Sequence, residues 1–585
     1  MKRLLINVLS SGFLFLIFGC SGGTSNSEPP AVVEPSDNAL LQTLKFSAGS
    51  LSPTFDPSVT DYELTLGYSN ATLTTYATTQ DSKAQVKIGN ASALLNEAVI
   101  HQAISIGQNN FSVLVTAENN STTTEYRFIV NRAPMSDFVQ QSYIKKNNPI
   151  ESYDLFGTSL AVSKNRLAIG AYNDFSATGA VYVYRMINNS WQLEGVVRAA
   201  YPSRNDGFGG SIALQGDTLV VGAVGESSSA SGVNGNQDDD SSSSSGAAYV
   251  FEYSNGSWQQ TFYLKASNPD DFDYFGADVA LDQDTIAVGA INESSDARGV
   301  NGNQNNNDAP ASGAIYVFKR SNNNWIQQSY IKASNSDSRD QFGGELALKG
   351  DTLVAGSSLE WGDGSDPSDN SAKYTGAVYV YSRSNDQWNE TAYLKASNPD
   401  SSDGFGSSVA LGNGVLAIGA KRESSISSGV NGDQTDNTNI NSGAVYIFTL
   451  ESGTWTQQAY IKSSNPDWND YFGERIAFEG NLLAVSATGE SSNTRYINGD
   501  EMDNSSENAG AVYLFNLVNG DWNQIAYIKA SNTDADDKFG KDVVIVDGRL
   551  FISANYEQSN AQGINGNQQD NSIDGAGAVY VFESN

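Results

Sequence analysis

The chain has 585 residues, with 33 Lys and Arg against 66 Asp and Glu, a formal charge of −33. So acidic a surface repels nucleic acid and anionic lipid headgroups, and suits cations, basic partners or plain solubility. Its single cysteine, Cys20, and single histidine, His101, exclude an internal disulfide and a Cys/His zinc site, and leave a Ser-His-Asp triad only His101 to draw on. The length exceeds what one ordinary core supports, so two or more units are expected. Abundant aromatic and β-branched residues, with Gly, Asn, Asp and Ser between them, predict short strands and turns. A 3.6-residue apolar period is scarce, so little helix is expected.

Residues 1–20 read as an export signal. Lys2 and Arg3 form a basic start, and the apolar stretch Leu4 to Phe18 is broken by Asn7, Ser10, Ser11 and Gly12. It is too short and too interrupted to span a membrane stably. Its end, Leu16-Ile17-Phe18-Gly19-Cys20, resembles a bacterial lipobox, with Phe18 where a small residue is usual. That resemblance implies acylation of Cys20, which becomes the mature N-terminus and anchors the chain in a membrane. Ser21 after it implies the outer membrane or cell surface. Residues 21–37, rich in Gly, Ser and Pro, read as a flexible tether.

Residues 38–133 show alternating strand patterns and no long helix. Leu51-Ser52-Pro53-Thr54-Phe55-Asp56-Pro57 with Tyr62, and the closing Tyr126-Arg127-Phe128-Ile129-Val130-Asn131-Arg132, resemble the cadherin-like β-sandwich domain of bacterial surface proteins. The resemblance implies a spacer or adhesive module. Cadherin calcium motifs are not evident here, so calcium is not carried over.

From 137 to 585 the chain is an internal repeat. The phrase Gly-Ala-x-Tyr begins at Gly179, Gly246, Gly313, Gly376, Gly443, Gly510 and Gly577, at spacings of 67, 67, 63, 67, 67 and 67 residues. Phe-Gly pairs recur at Phe156, Phe208, Phe275, Phe342, Phe405, Phe472 and Phe539. A tryptophan column (Trp191, Trp258, Trp325, Trp388, Trp455, Trp522) and Tyr-Ile/Leu-Lys phrases follow in register. Each unit predicts four strands: Phe-Gly-x-x-Leu-Ala-Leu, as at 342–348; a Leu-Ala-Val-Gly-Ala type, as at 352–357; Gly-Ala-Val-Tyr-Val-Phe; and Trp-x-Gln-x-x-Tyr-Ile-Lys. Four short strands in seven units indicate a β-propeller. The seventh unit lacks its fourth strand. Phe138-Val139-Gln140-Gln141-Ser142-Tyr143-Ile144-Lys145 matches Trp325 to Lys332, so residues 138–146 are expected to complete the last blade.

These phrases resemble the FG-GAP repeats of integrin α-subunit propellers, and more closely their bacterial relatives with Ser-Gly-Val-Asn-Gly-Asn-Gln loops. The expected fold is all-β: a seven-bladed β-propeller over 137–585 with N-terminal strand closure, preceded by a small β-sandwich. The integrin calcium loop lies between strands one and two. Here that connection is a tight turn, such as Gln215-Gly216-Asp217 or Glu479-Gly480-Asn481, so the integrin calcium sites do not transfer.

In an up-and-down blade the 2→3 and 4→1 loops emerge on one face. The 2→3 loops hold 7, 22, 22, 18, 22, 22 and 22 residues, so one face carries six long loops, where function concentrates. Asn234, Asn236, Asn301, Asn303, Asn431, Asp433, Asn565 and Asn567 mark that face. Neighbouring 4→1 loops carry Asp-x-x-Asp pairs: Asp270/Asp273, Asp337/Asp340, Asp400/Asp403, Asp467/Asp470 and Asp534/Asp537. Such oxygen-rich loops are candidate Ca²⁺ ligands, the one cofactor the sequence suggests. The competing reading is that Asp and Asn cap turns. Asp363, Asp366 and Asp369 are calcium-like only in loose spacing. The lysine column (Lys145, Lys265, Lys332, Lys395, Lys462, Lys529, with Arg198 in the remaining unit) reads as a structural ion pair with a nearby Asp. The tryptophans read as inter-blade packing before a sugar platform.

The expected function is that of an envelope lipoprotein presenting a propeller for protein or glycan binding, in adhesion or envelope organisation. The alternative is a non-adhesive scaffold within the envelope. A carbohydrate-active enzyme is disfavoured, because acids recur in every blade and form no single asymmetric site.

Overall fold

The structure is a computed structural model, and it describes residues 34–49, 51–66, 72–89, 91–104, 107–132, 138–147, 150–364 and 366–584. Cys20, the export signal and most of the tether lie outside these residues. The chain divides into two compact units.

The first unit pairs a three-stranded sheet (Leu41–Phe46, Thr72–Thr79, Glu97–Ala103) with a six-stranded one. Strict alternation in Asp61–Leu66 and Thr72–Thr79 turns Leu64, Leu66 and Leu73 inward, as a half-buried strand requires. The motif residues explain themselves here. Tyr62 Oη donates to the Asp56 carbonyl at 2.7 Å, and Tyr126 Oη donates to the Pro57 carbonyl at 2.9 Å. Both tyrosines tie down the turn that the two prolines shape. His101 stands exposed at the sheet edge, its Nδ1 2.8 Å from Thr74 Oγ1.

The second unit holds seven four-stranded antiparallel sheets. Six are continuous in sequence, and the third is typical: Phe275–Asp282, Thr285–Ala290, Ala314–Ser321 and Asn324–Ile331. The seventh is Val543–Val546, Arg549–Ala554 and Ala578–Ser584, with Phe138–Ile144 as its fourth strand. That pairing runs Phe138↔Ser584 to Ile144↔Val579, with a register shift between Gln140 and Ser142. The other six pairs of strands three and four carry a shift at the same place, as between Val317 and Phe318. The imported strand therefore reproduces the bulge of the strand it stands in for.

The Phe-Gly pair owes its recurrence to backbone geometry. Its glycine has φ between 87° and 96° in all seven copies, a region that a Cβ makes costly. The sharp turn delivers each Phe ring into a seam between neighbouring sheets. There it meets the Gly-Ala-x-Tyr glycine of the preceding sheet: a Cβ on Gly246 would stand 2.1 Å from the Phe275 carbonyl oxygen, and one on Gly510 2.2 Å from that of Phe539. Gly577 stands the same way to Phe156, at 2.0 Å. Apolar clusters fill these seams, one joining Val220 and Leu264 to Phe275 and Tyr316, another joining Phe551 and Val579 to Phe156 and Tyr182.

The left-handed glycine also corrects the expected strand limits. The first strand of the fourth sheet, expected from 342, runs Glu345–Lys349. Those of the sixth and seventh sheets likewise begin late, at Ile476 and Val543. The turn at glycine takes the chain off the ladder, and pairing resumes only beyond it.

Candidate functional site

The long loops do not hang free. Each Asn of the Val/Ile-Asn-Gly phrase adopts a left-handed φ of 54–57°, as Asn234, Asn301, Asn431, Asn498 and Asn565 do. Its Oδ1 accepts from, and its N–H donates to, the tyrosine of the outer strand: Asn301 Oδ1 from Tyr330 N at 3.0 Å, and Asn301 N to Tyr330 O at 2.7 Å. Asn234, Asn431 and Asn565 repeat this on Tyr263, Tyr460 and Tyr143. The loop thereby covers part of the outer strand, the edge that would otherwise be bare. The next expected positions, Asn236, Asn303, Asp433 and Asn567, are exposed, and each side chain caps the backbone N–H two residues on.

The aspartate pairs are built into turns. The second member accepts the first member's backbone N–H in every copy: Asp270 N to Asp273 at 2.9 Å, Asp337 N to Asp340 at 2.8 Å, Asp400 N to Asp403 at 3.0 Å, Asp467 N to Asp470 at 2.8 Å, Asp534 N to Asp537 at 3.0 Å. Glu151/Asp154 and Ser203/Asp206 do the same in the remaining two sheets. The first member accepts an Asn side-chain amide from the long loop, as Asp270 does from Asn307 at 3.1 Å and Asp400 from Asn437 at 2.9 Å. Each pair already has protein donors, and among the described residues no group of three or more His, Cys, Asp or Glu stands together to hold a metal. The donor set does not fit a Ca²⁺ cage, which needs six or more oxygens turned on one point. Burial pushes the second aspartates up, Asp206 to about 6, Asp273 and Asp470 to about 7, Asp340, Asp403 and Asp537 to about 8.

The lysine column forms ion pairs, with glutamate and not with the expected aspartate. Lys265–Glu226, Lys332–Glu293, Lys395–Glu360 and Lys462–Glu423 each close at 2.8 Å, Lys529–Glu490 at 2.7 Å and Lys145–Glu557 at 2.6 Å. Tyrosine two residues earlier donates to the same carboxylate, as Tyr330 Oη does to Glu293 at 2.8 Å. Burial pushes the lysines down, so the pair is held by its neighbours and not by solvent. In the first sheet the acid is Asp174 and the cation is Lys146, at 2.9 Å, while Arg198 turns to Thr178 and lies over the Phe175 ring. The tryptophans pack between sheets: Trp191 meets Phe551 edge-on at 5.7 Å, and Trp258 Nε1 donates to Glu194 of the preceding sheet at 3.2 Å.

The repeat breaks down at one place. The two residues after each Phe-Gly pair are Thr158-Ser159, Gly210-Ser211, Ala277-Asp278, Gly344-Glu345, Ser407-Ser408, Glu474-Arg475 and Lys541-Asp542. From the third sheet to the seventh, Ala277, Gly344, Glu345, Ser407, Glu474, Arg475 and Lys541 of this set line a cavity of about 440 Å³, together with Gln341, Ser358, Leu359, Lys421 and Arg422. These last residues begin the 2→3 loops or end the 4→1 loops, so the cavity belongs to the loop-rich side. Arg475 Nη1 donates to Glu345 Oε1 at 2.6 Å, joining the sixth sheet to the fourth. Lys421 Nζ stands 3.5 Å from Glu474 Oε1, and Thr488 Oγ1 donates to Glu474 Oε2. Burial alone raises the Glu474 carboxyl, but Lys421 and Lys541 pull it down to about 2. Behind the wall, Asp278 accepts from Ser211 Oγ and Leu346 N, both at 2.7 Å, and burial pushes it up to about 7. Asp542 accepts from Leu160 N at 2.6 Å. Sequence reasoning missed this cavity because it looked for what recurs.

A family model described as FG-GAP repeat matches residues 150–184, 191–251, 258–318, 325–381, 388–448 and 455–515, and one described as a cadherin-like β-sandwich domain matches 41–133. The six matched segments stop short of the seventh sheet. No curated protein matches the chain. The crystal structure of Sqt1 from Chaetomium thermophilum is similar over 75% of this chain and 98% of that one, at 13% identity and a TM-score of 0.36.

Proposed function

The chain belongs to the FG-GAP repeat family, with a cadherin-like β-sandwich ahead of its repeats, and from that premise we propose that its seven sheets form a closed seven-bladed β-propeller whose loop-rich face binds a protein or glycan at the cell envelope. Closure is supported by Phe138–Ile144 on Ala578–Ser584 and by Gly577 against Phe156. Binding rests on one observation: the rigid, repeated frame surrounds an irregular charged cavity on the side where the long loops gather. Rigid scaffolds carrying variable loops are where recognition is placed.

The family's repeats and cadherin-like domains are typically non-catalytic. The two carboxylates lining the cavity, Glu345 and Glu474, are both paired with cations, and Glu474 is held low, the reverse of the raised general acid that glycoside hydrolysis needs. Acylation of Cys20 and a spacer role for the sandwich would hold this face clear of the outer membrane, in adhesion or envelope organisation. The test is protease accessibility on intact cells together with capture of envelope proteins and glycans by the purified chain. Cleavage only after permeabilisation, with no captured partner, would instead favour a scaffold inside the envelope. The docking of the long loops onto their own sheets suits that second reading.

A further inference from the structure

We propose that the cavity lined by Glu345, Arg475 and Lys541 is a binding site for a compact carboxylate-bearing ligand. The inference rests on the reading of the loop-rich face as the working surface, and names the chemistry it would recognise. The chain has two acidic residues for every basic one, 66 against 33. At this cavity the ratio inverts: Lys421, Arg422, Arg475 and Lys541 face Glu345 and Glu474. Cations collected in a low-dielectric recess focus the field and draw anions locally, even in a molecule of opposite net charge.

The cations are not used up internally. Arg475 spends Nη1 on Glu345 and on the Glu474 carbonyl, and Lys421 reaches Glu474 only at 3.5 Å. Lys541 Nζ has neither a hydrogen bond nor an ion pair to any described residue. Burial and the charge of Arg475 push its pKa down, and the nearby Glu474 carboxylate offsets this only in part. Asp278 and Asp542 make no hydrogen bond to Lys541 Nζ, and accept instead from the Ser211 hydroxyl and from the backbone N–H groups of Leu346 and Leu160.

Two features narrow the class. The cavity already seats carboxylates against its cations, in Glu345 on Arg475 and Glu474 on Lys421, so a further carboxylate meets geometry of a kind present there. No aromatic side chain lines it among the described residues, so it offers a sugar ring no face to stack on. Its volume of about 440 Å³ suits a small diacid or one acidic side chain. Two sources share that chemistry: a free dicarboxylate, or an acidic side chain of a partner protein.

Calorimetric titration of the purified full chain with succinate, and separately with a tetra-aspartate peptide, at constant ionic strength in chloride, tests this. Saturable binding of either, weakened tenfold or more in Lys541→Gln, supports the site, and the tighter probe identifies the source. Lys541 Nζ has no hydrogen bond to lose, but its charge helps hold the Glu474 carboxyl low, so Lys541→Gln should still melt cooperatively, a little below the temperature of the parent chain. No saturable heat with either probe, or equal binding by Lys541→Gln, would overturn the proposal. Envelope capture measured in parallel separates the two claims: a partner held by the loops while neither probe binds leaves the loop-face reading standing.

Discussion

Gly577 receives Phe156 as Gly510 receives Phe539: a Cβ on either glycine would stand 2.0 Å or 2.2 Å from the phenylalanine carbonyl oxygen. The seam between the last sheet and the first is therefore built like the seams between consecutive sheets. Gly577→Ala is expected to cost roughly 3 kcal/mol or more, because a left-handed φ and a backbone clash coincide. Gly520→Ala is the control, since Gly520 has φ of 93° but nothing within 4 Å of a Cβ, and it should cost only about 1–2 kcal/mol. Urea unfolding of both variants measures the difference. Equal losses would mean that the seam contributes nothing of its own.

The pair Lys145–Glu557 links positions 412 residues apart. Lys145→Met leaves a buried carboxylate without its cation, and is expected to cost roughly 3–5 kcal/mol. Lys145→Met combined with Glu557→Gln removes the charge but keeps acceptors for Tyr143 and Asn532, which both donate to Glu557. The double variant should recover a good part of the loss. A double variant as unstable as the single one would place the energy in packing instead of charge. Removing residues 137–146 altogether should bare the Ala578–Ser584 edge and drive association, visible by size-exclusion chromatography.

The buried aspartates set a pH dependence. Asp403 ionises near 3.8 when unfolded and near 8 in the fold, because burial disfavours its charge. The folded chain therefore binds more protons between those values. The group's contribution to stability is full below about pH 4 and is lost as pH rises through about 8. Asp403→Asn keeps an oxygen for the Asp400 N–H and removes the charge. Its stability relative to the parent chain should rise from pH 5 to pH 8, by about 2 kcal/mol or more. Thermal melts across that range read the sign, and a relative stability that falls with pH would refute the assignment.

Chelation should leave the repeats intact. Every aspartate pair is bonded to backbone or amide donors, so excess EDTA or added Ca²⁺ is expected to shift the melting temperature by less than about 1 °C. Mass action would make a bound ion obvious, at about 2.7 kcal/mol for a ligand at one hundred times its Kd. A calcium-dependent rise of several degrees would show that the loops rearrange around the ion.

Much of this architecture was legible because it recurs. Spacings of 67 residues marked the sheets, and the likeness of 138–145 to 325–332 identified the strand that completes the seventh. The lysine partners were legible too, but were read as the wrong acid. An acid stands three residues after the Ala or Ser that ends strand two in all seven units, from Asp174 and Glu226 to Glu557, and it is this residue that the cation meets. The aspartate pairs were open to two readings, because turn capping and calcium ligation ask for the same side chains. Only the direction of the backbone N–H groups separates them. The cavity was not legible, since Glu345 and Arg475 stand at the same repeat position two units apart, and that position varies in residue type among the copies, so no recurring phrase marks it.

The paired residues that follow the Phe-Gly glycines have a consequence for how such a protein diversifies. Elsewhere the frame is interlocked: a seam glycine answers to the phenylalanine of the adjoining sheet, and a buried lysine to the glutamate in the long loop of its own sheet. The fourteen residues after the glycines are held by that frame, and where they face the cavity they owe it less. They act as a short register of characters on an otherwise invariant carrier. New specificity can be written there one residue at a time, at little cost to folding.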